Sequence, residues 1–126
     1  RARRWRKMLG GGMRQVGILA AAGRVALDKQ IDKLAVDHEN TAYLAEKLSS
    51  IDAFVFDINA VQTNMIFTTY RGENPKALAD YLLGKNIRIS ANAANRFVVH
   101  QDITRDAIDL LVAELREYPH GKLTNI

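Results

Sequence analysis

A chain of 126 residues, nearly half of them apolar, can bury one sizeable core, and its net charge of +4 is modest. The absence of cysteine excludes disulfides and thiolate metal centres and fits a reducing cytoplasm, which is the expected location. The longest membrane candidate, Val16 to Leu27, is short for a span and carries Arg24 and two glycines, so neither a transmembrane helix nor a signal peptide is expected.

The charge is uneven. Arg1, Arg3, Arg4, Arg6, Lys7 and Arg14 precede the first acidic residue, leaving the rest of the chain slightly acidic. Beginning on Arg1 rather than methionine, the chain reads like one entered midway. Strong helix formers over Arg1 to Leu9 predict a helix that stops at Gly10, Gly11 and Gly12, and Met13, Val16, Leu19, Ala20 and Gly23 continue at helical spacing. Ile31, Leu34, Ala42, Ala45 and Leu48 predict a second amphipathic helix, with the option of being continuous with the first. Ala53 to Asp57 and Thr63 to Tyr70 are rich in Phe, Val, Ile and Thr and predict two strands. Asn74 is placed to cap a helix that has Pro75 in its first position and ends near Gly84 to Asn86. Ile87 to Ser90 and Arg96 to His100 suggest a hairpin around a loop at residues 91–95. Thr104 should cap a last helix that stops before Pro119, with a loose tail from Lys122 to Ile126. The expected class is α+β: long N-terminal helices, then a small two-layer domain with helices on one face of a mainly antiparallel sheet.

Three glycines before a helix can converge backbone N–H groups on an anion, and the helix dipole adds partial positive charge. Arg14 in the first turn would oppose that dipole unless it shares a bound anion with Lys7. The alternative is a flexible joint with Arg14 in solvent. Trp5 among the arginines could stack on a base or pack on its own protein. A single short basic cluster and a sheet without an aromatic platform argue against nucleic acid. Asn64 suggests a structural hydrogen bond to a neighbouring loop. The Arg96 guanidinium could hold a carboxylate bidentately or simply be solvated at a strand end. His38 and His100 form no metal motif, His120 falls in the tail, and no carboxylate pair stands out as acid and base, so no metal site is expected.

Arg4 to Gln15, followed by Gly17 to Gly23, closely resembles the low-specificity L-threonine aldolases, which share the R-W-R-K, G-G-G-M-R-Q and G-I-L-A-A-A-G patterns. Weaker likeness continues through Asp37, His38 and Asn40, through Thr63 to Phe67, and through the Arg96 region. The resemblance implies an aspartate-aminotransferase-like fold, pyridoxal 5'-phosphate (PLP) as cofactor, and cleavage of L-threonine or L-allo-threonine to glycine and acetaldehyde by a homotetramer built from dimers. It implies that Lys7 and Arg14 serve the cofactor phosphate across a subunit boundary, and that Arg96 grips the amino-acid carboxylate of the small substrate. It also implies that residues 1–28 end a large PLP-binding domain with an oligomer contact, and that residues 29–126 form the C-terminal small domain.

None of Lys7, Lys29, Lys33, Lys47, Lys76, Lys85 or Lys122 stands in the Ser-Lys-Gly context of the family's Schiff-base lysine. The family's ring-stacking histidine and its aspartate partner of the pyridine nitrogen also lie upstream. No catalytic residue is therefore expected here, and the chain by itself, lacking the N-terminal large domain, should be inactive. Two rival readings are a non-enzymatic basic module for nucleic acid or an acidic protein, and an assembly module with exposed apolar surface.

Overall fold

The computed structural model describes residues 1–125, which divide into two compact units, residues 1–33 and residues 34 onward. In the first unit, helix α1 spans Ala2–Met8 and helix α2 spans Gly17–Lys29, followed by a 3-10 turn at Ile31–Lys33. Helix α1 closes as a Schellman motif. Gly10 N–H donates to Lys7 O at 3.2 Å and Gly11 N–H to Arg6 O at 2.7 Å, with Gly10 at φ +87°, where a side chain would be strained. No residue of α1 or α2 is buried, and Ile18 in α2 is 79% exposed.

The second unit holds helix α3 (Leu34–Ser49), strand β1 (Phe54–Val55), a 3-10 turn at Ile58–Ala60, strand β2 (Met65–Tyr70), helix α4 (Pro75–Gly84), strand β3 (Ala94–Val98) and helix α5 (Arg105–Glu117). The three strands form an antiparallel sheet in the order β1-β2-β3, as the α+β expectation requires. Alternation along β2 sorts its two faces. Ile66, Thr68 and Tyr70 are buried, whereas Phe67 is 67% exposed. The buried side meets Leu44, Ala45 and Leu48 of α3, Leu78 and Leu82 of α4, and Ile108, Val112 and Leu115 of α5, which form one core cluster. The layers are therefore helices on one face of a sheet whose other face is open.

The predicted caps are formed. The Asn74 side chain accepts from Ala77 N at 3.0 Å and that of Thr104 from Ala107 N at 3.2 Å, each satisfying an amide that the first helical turn leaves without a partner. Asn40 Nδ2 donates to Ile103 O at 3.3 Å, tying α3 to the loop before α5. Asn64 has the structural role expected of it, its Nδ2 donating to Val99 O at 2.9 Å while Val99 N donates to Asn64 O at 2.9 Å.

Four local expectations need correction. Helix α2 begins at Gly17 rather than Met13, after a turn with Gln15 at φ 52°, and it is not continuous with α3, because the 3-10 turn intervenes. Ile87 to Ser90 is no strand of a hairpin, since β3 takes its ladder from β2. The tail is held at Thr124, whose N donates to Arg71 O at 2.9 Å and whose O accepts from Arg71 Nε at 2.6 Å, while Ile126 lies outside the described residues. His120, expected in that tail, is half-buried against the rings of Phe54, Tyr70 and Tyr118. Its Nε2 lies 2.8 Å from Leu115 O and its Nδ1 3.0 Å from Tyr70 Oη. A carbonyl only accepts, so Nε2 carries the proton and Tyr70 donates to Nδ1.

Two consequences can be measured. Leu48→Ala, in the centre of the core, should cost about 2–5 kcal/mol of unfolding free energy, seen as a lower denaturant midpoint; a cost under about 1 kcal/mol would place the stabilising core elsewhere. Burial pushes the Tyr70 hydroxyl up to about 12, with Tyr118 a smaller contributor. The folded value lies above the unfolded one, so the stabilisation is complete below about pH 10 and is lost as pH rises through the folded value. In an alkaline titration followed by phenolate absorbance, one tyrosine should ionise only as near-ultraviolet dichroism collapses. Ionisation of all four tyrosines in an intact fold would contradict this.

Candidate functional site

Arg96 stands on β3 directly opposite Phe67 of β2. Val99 N–H donates to Asn64 O and Tyr70 N–H to Ala93 O, and the antiparallel alternation between these bonds makes Phe67 and Arg96 a non-hydrogen-bonded pair. In such pairs the Cα atoms come within about 4.5 Å and the side chains stand close together. Both residues are exposed on the open face of the sheet, where Met65 and Val98 form the next pair and Val55 and Thr69 another. Among the described residues Arg96 has no carboxylate partner. The chemistry of this face is thus one free guanidinium in an apolar setting, which suits a carboxylate with its planar pair of oxygens.

The loop before Arg96 is tied to itself. Asn95 is buried, and its Nδ2 donates to Asn92 O at 2.5 Å, while Asn92 N donates to Ser90 Oγ at 3.3 Å. These bonds fix the approach of the chain to β3. A cavity of about 650 Å³ lies beside this strand, and its lining includes Arg88, Ser90, Asn95 and Arg96 over Ile103, Ile108 and Leu111. Sequence reasoning missed Phe67 and Arg88 as site neighbours. The alternation of Thr63 to Tyr70 was the available signal for Phe67, because it puts that ring on the face away from Ile66.

Lys7 and Arg14 belong to the other unit. The Lys7 stem passes over Gly12, where a Cβ would meet its Cγ at 3.6 Å. Both residues are exposed, and among the described residues neither makes an ion pair. Two of the three glycine amides are already committed to closing α1, so the glycine run is a helix cap before it is an anion nest. Arg14 precedes α2 and is not in its first turn, which removes the expected conflict with the helix dipole. A smaller cavity in this unit, about 330 Å³, is lined by Arg1, Arg4, Trp5 and Met8 and does not include Lys7 or Arg14.

Among the described residues, no cluster of histidine, cysteine and carboxylate side chains could hold a metal ion, and no helix is long and apolar enough to cross a membrane. His100 Nδ1 stands 3.6 Å from Asp102 Oδ2 and accepts from Asp102 N at 3.4 Å, a local turn contact. Tyr81, Lys85 and Glu114 form the most connected charged group. Tyr81 Oη donates to Glu114 Oε2 at 2.7 Å, and this hydrogen bond is the main reason the carboxyl of Glu114 sits below its ordinary value. It braces α4 against α5 and lies outside the residues lining the larger cavity.

The chain is 43% identical over 118 residues to the low specificity L-threonine aldolase of Escherichia coli K12, covering 94% of this chain and 34% of that protein. It is 46% identical over 125 residues to the probable low-specificity L-threonine aldolase 2 of Arabidopsis thaliana, covering 94% of this chain and 35% of that protein. The chain therefore spans about a third of the length of the curated relatives it matches. Among solved structures, glutamate decarboxylase of Lactobacillus brevis superposes with a TM-score of 0.51 at 20% identity, over 64% of this chain and 22% of that one, a likeness of fold alone. These findings do not favour the non-enzymatic nucleic-acid reading. The family model for beta-eliminating lyases matches residues 1–71, more than half of the sequence, and the chain belongs to that family.

Proposed function

We propose that this chain supplies substrate- and cofactor-binding residues to a PLP-dependent carbon–carbon lyase that cleaves L-threonine or L-allo-threonine to glycine and acetaldehyde. The observation that carries the reading is Arg96, an exposed guanidinium without a carboxylate partner, set against Phe67 in a chain so similar to proteins named threonine aldolases. The family assignment supports PLP as the cofactor of the whole enzyme.

Lys7 and Arg14 fit the phosphate of that cofactor in chemical type, being accessible cations with no acidic partner among the described residues. Their share of the work is to neutralise the phosphate and orient the group through charge-assisted hydrogen bonds. PLP, when bound, supplies the electron sink for the pair released as the substrate carbon–carbon bond breaks. Arg96 holds the substrate carboxylate through two parallel N–H donors, and the adjacent Phe67 ring keeps water from one flank of that pair, which strengthens it. The chain provides binding and orientation. With no lysine in the Ser-Lys-Gly context, covalent attachment of the cofactor is not assigned to any residue here. The reading includes a homo-oligomer in the cytoplasm, with residues 1–28 as the end of a large domain and residues 29–126 as the small domain. The exposed apolar residues of α2 support the oligomer contact, and the absence of cysteine supports the compartment.

A graft of this chain over the matching third of the Escherichia coli relative tests these roles. In that protein Arg96→Ala should lower kcat/KM by about 10- to 100-fold, chiefly through KM, as expected for losing a charge-assisted pair. An unchanged kcat/KM would remove Arg96 from the site. Lys7→Ala and Arg14→Ala should each weaken PLP retention by about tenfold, measured by cofactor absorbance after equilibrium dialysis. Full retention in both variants would take the phosphate role from them.

A further inference from the structure

We propose that the free edge of β3 accepts an extended acidic peptide strand, which lies in the cavity between β3 and residues 88–90. β3 is an edge strand, and the bonds from Val99 N to Asn64 O and from Tyr70 N to Ala93 O show which of its groups are spent. Alternation turns the backbone groups of Asn95 and Phe97 towards β2 and those of Ala94, Arg96 and Val98 outward. Residues 95–98 of β3 line the 650 Å³ cavity, and Arg88 and Ile89 line it too.

The burial of residues 87–90 alternates. Ile87 and Ile89 are half-buried while Arg88 and Ser90 are exposed, the period-two pattern of a half-covered strand. Among the described residues, no backbone group of Arg88 or Ile89 bonds to another backbone group. β3 and residues 88–89, both with backbone groups left without a backbone partner, thus line one cavity over an apolar floor that includes Ile103 and Leu111. Strand addition satisfies such an edge, with alternate side chains going to the floor and to the mouth. Charge selects the occupant. Arg88 and Arg96 both line the cavity and no carboxylate does, so a peptide alternating apolar and acidic residues complements it.

The test uses the isotope-labelled 126-residue chain, amide hydrogen exchange by NMR, and the blocked pentapeptide Val-Asp-Val-Asp-Val as probe. At saturation, exchange of the Arg96 and Val98 amides should slow by about tenfold or more, while Phe97, already turned towards β2, should change by less than about twofold. Val-Lys-Val-Lys-Val and an N-methylated acidic peptide should leave all three amides unchanged. The exposed substitution Arg88→Glu should weaken the acidic probe and favour the lysine one. Three results would each overturn the proposal: no slowing at millimolar peptide, equal slowing by the lysine peptide, or edge protection without peptide that disappears on dilution, which would assign the edge to a second copy of the chain.

Discussion

One-sided burial of β2 is the constraint on which the rest of the second unit depends. Ile66 and Tyr70 can leave water only if α3, α4 and α5 all lie on the same side of the sheet, and their buried leucines and isoleucines fill that side. The opposite face is then left to Phe67, Arg96, Met65 and Val98 by the two-residue period alone. A one-residue slip of β3 would turn Arg96 to the core side, and one of β2 would turn Ile66 out of it, so core and candidate site are specified by the same hydrogen-bond ladder. The tight pairing at each end, Asn64 with Val99 and Tyr70 with Ala93, holds that register.

What could be read from sequence was what is local. Asn74 before Pro75, and Thr104 before an apolar helical run, each satisfy an amide three residues away, so neighbouring residues contain the whole cause. The Ile87–Ser90 segment shows the opposite case. Its alternation matches the alternating burial of Ile87 to Ser90, but pairing is decided by which strand lies alongside, and β2 occupies that place beside β3. His120 and Thr124 were misjudged for a related reason, since their partners Tyr70 and Arg71 are remote in sequence. Arg96 could be named from its residue type and its family context. Phe67 beside it could be named only once the register was known.

The basic N-terminal stretch separates two uses of glycine that a sequence pattern cannot distinguish. Gly10 and Gly11 turn their amides back to the carbonyls of Lys7 and Arg6, so the chain ends one helix with them before any ligand is considered. This leaves Lys7 and Arg14 as side-chain contributors, acting through their charged tips rather than through a nest of amides. Family membership rests on residues 1–71 and so includes this stretch. The open sheet face adds a second, chemically distinct cationic group.

The absence of buried residues in α1 and α2 bears on how the molecule melts. Helices without packed side chains are held by local hydrogen bonds and propensity, and short ones of this kind lose structure gradually on warming rather than in one step. The second unit, with its shared core, should instead unfold as a single cooperative block. Far-ultraviolet dichroism of the isolated chain would then show a sloping decline ahead of a sharp transition, and a docked neighbour on α2 would merge the two.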